Sequence, residues 1–139
     1  MAAGEMVIYY SPQKTKEAVK LKGVLIQMGV RIRNVSQEQA YEKVGFLAGL
    51  DGFEEGQNTQ GDGAQEMKQE LLIMKNFTGQ RMDELFLRMR KAGVGRIHYK
   101  AVLTEHNVNW TLLDLYREIK KEHEAMQAGQ AGESNGQKS

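Results

Sequence analysis

Two hydrophobic periodicities alternate along this chain, and their order restricts the fold more than any other feature of the sequence. Short β-favouring runs are each followed by apolar residues at the three- and four-residue spacing of an amphipathic helix. Four such pairs occur, at residues 6–29, 30–49, 70–93 and 96–126. The order is therefore β-α-β-α, a polar segment, and β-α-β-α again. This order predicts an α/β domain with right-handed crossovers.

The four strand-like runs are of two kinds. Residues 6–10 and 70–77 are continuously apolar, which is typical of strands buried on both faces. Residues 30–35 and 96–103 alternate apolar and charged side chains, which is typical of edge strands. We therefore predict a single four-stranded, mainly parallel sheet of order 2-1-3-4, a shortened flavodoxin-like arrangement flanked by four helices. A ferredoxin-like α+β sheet is the alternative, but its core joins two strands directly, and here a helix intervenes.

Capping residues indicate where the helices begin and end. Ser11 followed by Pro12 predicts the start of the first helix, and Gly29 predicts its end. Asn107 or Asn109 is predicted to cap the last helix, which we place at about residues 110–126.

The length of 139 residues fits one domain, which we place at residues 1–126. Residues 51–69 are polar and rich in glycine, with only Phe53 and Met67 to anchor them, so we expect a flexible polar linker. The predicted topology places this linker at the end of the sheet opposite the strand-4/helix-4 turn. Residues 127–139 form a Gly/Gln/Ser tail that we expect to be disordered. The halves on either side of the linker look like two copies of one unit.

The composition excludes several classes of function. Nineteen basic and eighteen acidic residues leave a formal charge of +1, which does not favour nucleic acid as a partner. The absence of cysteine excludes disulfides, thiolate metal sites and cysteine nucleophiles. The three histidines lack metal-ligand spacing, and no phosphate loop, dinucleotide fingerprint or nucleophile elbow occurs. We therefore expect no metal, no cofactor and no membrane segment, and a cytoplasmic, bacterial protein.

The predicted topology also indicates where a ligand would bind. In open α/β sheets, ligands lie at the carboxyl ends of strands, where the strand order reverses. Here that point falls between strands one and three. Ser11 and Lys14 would line one side of it, and Asn76 and Thr78 the other.

One strand further along, residues 100–110 concentrate polar side chains and the only tryptophan at a strand-to-helix turn. A helix N-terminus there offers unpaired N–H groups and a partial positive charge. The candidate ligand-binding residues of this turn are Lys100, Thr104, His106, Asn107, Asn109 and Trp110. Each also has a structural interpretation: the lysine as a guard on an edge strand, an asparagine as a helix cap and the tryptophan as a packing anchor.

The sequence KAVLT at residues 100–104, with Asn107 and Trp110 after it, resembles the signature of a small family of unknown function from anaerobic Gram-positive bacteria. The resemblance covers residues 70–124 well and the first half only loosely. It implies no activity, and it marks Lys100, Thr104, Asn107 and Trp110 as positions to test.

Three hypotheses on function follow. The first is a cytosolic binding or regulatory module that recognises a small anionic molecule or a protein at the strand-4/helix-4 turn. The second is a protein-interaction or homo-oligomerising subunit, such as a homodimer, that pairs through an edge strand. The third is an enzyme that uses His106 or Lys100, which the lack of a catalytic constellation does not favour.

Overall fold

Strands and helices alternate in the computed structural model, which describes residues 4–13, 15–56 and 65–136. The strands are β1 (Met6–Tyr10), β2 (Arg31–Val35), β3 (Leu71–Lys75) and β4 (Tyr99–Val102). The α-helices are α1 (Lys16–Met28), α2 (Val44–Leu47), α3 (Gly79–Ala92) and α4 (Leu112–Gly136). Short 3-10 helices, Gln37–Gln39 and Asn107–Asn109, precede α2 and α4. Within the described ranges, no helix is long and apolar enough to cross a membrane.

The strands form one sheet of order β2-β1-β3-β4, which confirms the predicted order. The outer pairs, β1–β2 and β3–β4, are parallel, but the central strands β1 and β3 are antiparallel. The sheet is therefore mixed, and the prediction of a mainly parallel, flavodoxin-like sheet was wrong. Helices cover both faces, which also separates this fold from the ferredoxin-like alternative, whose helices lie on one face.

The residues that precede β3 are held near the end of β1. Met67 is fully buried, and its carbonyl accepts a hydrogen bond of 2.6 Å from the Tyr10 hydroxyl at the end of β1. The Tyr116 hydroxyl of α4 accepts hydrogen bonds from the N–H groups of Lys68 and Gln69, each 3.0 Å long. The chain therefore enters β3 beside the last residue of β1, so β3 is antiparallel to β1.

The central strands are buried on both faces, as their continuous apolar sequences predict. On one face α1 and α3 cover Val7, Tyr9, Leu72 and Met74. On the other face α2 and α4 cover a second core that contains Ile8, Tyr10, Leu71 and Ile73.

The two halves of the chain have the same order of strands and helices, and they contact each other at corresponding positions. Ile8 of β1 lies opposite Ile73 of β3 at the middle of the antiparallel pair. Over one face of the sheet, Lys43 and Thr111 form an antiparallel bridge at equivalent points of the two halves. This shared order of elements supports the expectation of two copies of one β-α-β-α unit.

The repeats differ at one connection. β2 begins at Arg31, two residues after the left-handed Gly29 that ends α1. β4 begins at Tyr99, six residues after the equivalent Gly93. We call the longer segment, residues 94–98, the α3–β4 connection. It shows that the similar sequences MGVRI and AGVGRI do not occupy equivalent places, since Ile32 lies within β2 and Ile97 lies before β4.

Two helix starts also differ from the predictions. Thr15, and not Ser11, caps α1, since its side chain accepts a 3.1 Å hydrogen bond from the Ala18 N–H. Thr111, and not Asn107 or Asn109, occupies the capping position before α4 and accepts from the Asp114 N–H at 3.0 Å.

The α4 helix is longer than predicted and continues past residue 126 to Gly136. Residues 127–136, with the sequence QAGQAGESNG, combine good helix formers with three glycines, so helix propensity alone does not account for this extension. Residues 137–139 and the middle of the predicted linker, residues 57–64, lie outside the described ranges.

Candidate functional site

The antiparallel central pair separates the two sides of the predicted crevice. Ser11 follows β1 at one end of the central strands, whereas Asn76 and Thr78 follow β3 at the opposite end. Lys14 lies outside the described residues. A switch point between β1 and β3 needs a parallel pair, so the predicted crevice does not form.

Each of these crevice residues has a local structural role. The Ser11 hydroxyl donates to the Gln13 carbonyl. Asn76 ends β3 in the left-handed region, with a φ of 63°, and its amide donates a 3.0 Å hydrogen bond to the Gly4 carbonyl. Thr78 caps α3, since its hydroxyl accepts a 3.2 Å hydrogen bond from the Arg81 N–H.

Thr104 and Asn107 hold the turn after β4 in a fixed shape. The Thr104 N–H donates to Asn107 Oδ1 at 2.8 Å, and the Asn107 N–H donates to Thr104 Oγ1 at 3.1 Å. Asn107 Nδ2 donates to the Val102 carbonyl at 3.0 Å. This reciprocal arrangement is that of a capping box, with asparagine in place of glutamate or glutamine. Because Asn107 is only 8% exposed and its amide is already bonded, it is a structural residue of the turn.

The other predicted residues of the turn are exposed. His106 lies at the surface. Its backbone N–H donates a 3.2 Å hydrogen bond to Thr104 Oγ1, and its imidazole makes no hydrogen bond with the described residues. Trp110 is 36% exposed and lies on an open groove with Asp114 and Arg117 of α4, so it is not a buried packing anchor.

Asn109 lies beside the start of the predicted linker. It lines a groove of about 520 Å³ together with Phe53 and Gly56. The Gly56 N–H donates a 2.7 Å hydrogen bond to Glu42 Oε1. The expectation that the linker lies far from this turn is therefore wrong for residues 52–56.

Lys100 is the predicted residue with the least ordinary surroundings. Its Nζ is partly buried, donates a 2.9 Å hydrogen bond to the Ile97 carbonyl, and lies 5.2 Å from the centre of the Phe86 ring. Burial, followed by repulsion from Arg96, lowers the pKa of Lys100. Among the described carboxylates, none forms an ion pair with it. The ammonium is thus partly desolvated without an anionic partner.

Lys100 lies in a groove between α3 and β4, which we call the α3–β4 groove. Its volume is about 450 Å³. Apolar side chains from α3 and the α3–β4 connection form its surface, namely Phe86, Met89, Val94 and Ile97. Arg90, Arg96 and Lys100 also line it, and none of its described lining residues is acidic. The groove therefore combines an apolar surface with three cations.

A second groove lies on the other side of β4, against α4, and we call it the β4–α4 groove. Its volume is about 420 Å³, and Arg96 and Lys100 line it as well. It adds the imidazoles of His98 and His123, whose ring centres are 5.5 Å apart, and the carboxylate of Glu122. Arg96 and Lys100 thus lie between the two grooves.

The sequence reasoning did not select Arg96, His98 or His123 as site residues. His98 and His123 are far apart in sequence and meet because α4 packs back along β4. Arg96 and His98 belong to the α3–β4 connection that the first repeat lacks, but the alternating pattern at residues 96–103 predicted a strand there, so the sequence did not show this connection.

Fold and site together describe a mixed α/β domain whose second repeat carries two neighbouring cationic grooves. Residues 70–126 match a family model described as "Domain of unknown function (DUF3783)". The match takes in β3, α3, β4 and the first part of α4, so it corresponds to the second repeat. It also agrees with the resemblance of this half to a family of unknown function. No curated protein and no solved structure matches the chain.

Proposed function

We propose that this protein is a binding module that recognises a small anion with an apolar body in the α3–β4 groove. The observation that carries the proposal is Lys100, a partly buried ammonium with no carboxylate partner among the described residues. An anion would supply the missing charge, and charge-assisted hydrogen bonds are stronger than neutral ones. The apolar groove surface would bury the body of the ligand, as is usual in small-molecule sites.

This proposal moves the binding site from the predicted turn to the strand before it. Thr104 and Asn107 bond each other, so their side chains are less suited to hold a ligand than Lys100. Enzymatic use of His106 gains no support, since no described carboxylate orients its imidazole. A bacterial origin and a cytoplasmic location remain part of the proposal.

Pairing of another chain along a sheet edge is the alternative function. β2 exposes Arg31 and Arg33, charges that oppose the approach of a second strand. β4 exposes Val102, with 39% of its surface accessible, so β4 is the edge that this alternative would use. Sedimentation at high concentration would test it, because self-pairing predicts a dimer and a strict monomer would exclude self-pairing.

Anilinonaphthalene sulfonate is a suitable first probe, because it joins an apolar ring system to a fixed negative charge. We expect saturable fluorescence enhancement with the wild-type protein. Lys100→Met should weaken binding by about tenfold, the size of one charge-assisted hydrogen bond. Lys22→Met is the matched control, since Lys22 is exposed on α1, outside the groove. Equal affinities of both variants, with unchanged circular dichroism, would contradict the proposal.

A further inference from the structure

We infer that the ligand carries two anionic groups and reaches across β4 into the β4–α4 groove, where His98 and His123 make its affinity rise as the pH falls. This inference rests on the proposed function and deepens it. It assigns a ligand class, an amphipathic dianion, and a mode of regulation to the same site.

The geometry that supports the inference is the sharing of two cations by two grooves. Arg96 and Lys100 line the α3–β4 groove and the β4–α4 groove alike. A ligand whose apolar body lies against Phe86 could therefore keep one anionic group at these cations. A second anionic group on the same ligand would then lie on the side of the two imidazoles.

The groups that face the imidazole pair come from three elements. The α3–β4 connection supplies Arg96, and α4 supplies Glu122. β4 supplies Lys100 and also Tyr99, whose ring centre lies 5.4 Å from that of His123. Burial raises the pKa of Tyr99, so this phenol stays neutral over the range in which imidazoles titrate. Electrostatic repulsion from Tyr116 and Glu124 of α4 raises the pKa of Tyr99 further.

Protonation therefore changes the charge of the β4–α4 groove in one direction. When the imidazoles are neutral, the two cations face the single carboxylate of Glu122. A falling pH can only add protons to imidazole rings, so any change makes the groove more positive. With ring centres 5.5 Å apart, two imidazolium ions repel each other, and an anion beside them reduces that repulsion. By linkage, an anion that favours protonation binds more tightly when the protons are present.

Two probes with fixed charges test the inference, because sulfonates do not titrate in this range. Binding of naphthalene monosulfonate and naphthalene disulfonate would be measured by calorimetry at about pH 5.5 and about pH 8. We expect the disulfonate to bind about fivefold more tightly at the lower pH, which is the effect of one well-placed surface charge pair. The monosulfonate should change by less than about twofold, because its single charge stays at Lys100.

The three histidines supply a matched set of variants. His98→Gln and His123→Gln should each reduce the pH dependence of disulfonate binding. His106→Gln should leave it unchanged, since His106 lies in the turn after β4, away from the described lining of both grooves. If a substitution in the pair prevents folding, the comparison of the two probes on the wild-type protein still decides.

The results separate this inference from the proposed function. Equal disulfonate affinity at both pH values, with binding that still depends on Lys100, would overturn the inference and leave the α3–β4 groove as the site. The inference is also overturned if the His106→Gln variant loses the pH dependence as fully as the His98→Gln variant. Probe binding that ignores Lys100 would remove the proposed function and the inference with it.

Discussion

Replacing Arg81 by methionine should destabilise the protein much more than the same change at another arginine of α3. The Glu5 carboxylate, only 5% exposed, accepts hydrogen bonds from Arg81 Nε at 2.9 Å and from a terminal guanidinium nitrogen at 2.8 Å. That nitrogen also donates to the Met28 carbonyl at 2.8 Å. One side chain of α3 therefore bonds the segment before β1 and the end of α1. The ion pair raises the pKa of Arg81 above its usual range, so the guanidinium stays charged.

The size of the effect follows from the burial of Glu5. Removal of one partner from a buried ion pair costs about 3–5 kcal/mol, because a charge is left without compensation. The Arg81 side chain is 26% exposed, so water can reach part of the vacated space, and we expect a smaller loss than in a fully buried pair, about 2–3 kcal/mol. In a domain of this length, that loss corresponds to a melting temperature lower by roughly 10 °C.

Urea denaturation of four variants at neutral pH measures this contribution. In Arg81→Met the carboxylate of Glu5 remains buried and unpaired, whereas the double variant with Glu5→Gln removes that charge. The double variant should therefore be more stable than Arg81→Met, and Glu5→Gln alone should lie between wild type and Arg81→Met. Arg88→Met is the control, since it removes only the exposed Arg88–Glu84 pair, and pairs of that kind contribute little. The reasoning is refuted if Arg81→Met and Arg88→Met unfold at the same urea concentration, or if the two changes in the double variant are additive.

Three further predictions concern the turn and the sheet. Asn107→Ala should cost about 1–3 kcal/mol in urea denaturation, because the N–H of Thr104 loses its acceptor; a neutral result would contradict the capping role. Trp110 emission should be quenched by acrylamide because the indole is exposed, and a blue, unquenched emission would contradict the structure. Burial and the hydrogen bond to Glu70 raise the pKa of Tyr9, so wild-type stability should fall above about pH 10, where unfolded tyrosine ionises and folded Tyr9 does not. Tyr9→Phe should lose less stability over that range, and parallel losses in both proteins would exclude Tyr9 as the cause.

Strand order was predictable from the sequence, and the direction of the central pair was not. A strand buried on both faces needs apolar residues throughout, and the runs at residues 6–10 and 70–77 meet this condition and lie in the middle of the sheet. Parallel and antiparallel neighbours place the same demand on side chains. The antiparallel direction is accompanied by the contact of Met67 with Tyr10, a partner 57 residues away, and Met67 lies in a segment whose polar composition suggested a free linker.

The candidate site illustrates a second limit of sequence reasoning. Residues 104–110 attracted attention because polar side chains concentrate there, but helix caps and ligand sites use the same residue types. Only the hydrogen bonds show that Thr104 and Asn107 are already occupied by each other. Lys100 stands out for the opposite reason, since its charge has no partner among the described residues.

The comparison of the two repeats supports the proposal that the binding site lies in the second one. The first repeat joins α1 to β2 directly after Gly29, so the fold does not require a longer connection at this point. The second repeat nevertheless has four additional residues after Gly93, and that connection contributes Arg96 to both grooves and His98 to one of them. The family model matches this second repeat alone. The first repeat completes the sheet by pairing β1 with β3, and Arg96 and His98, which the longer connection adds to the grooves, lie within residues 70–126, the part of the chain that the family model matches.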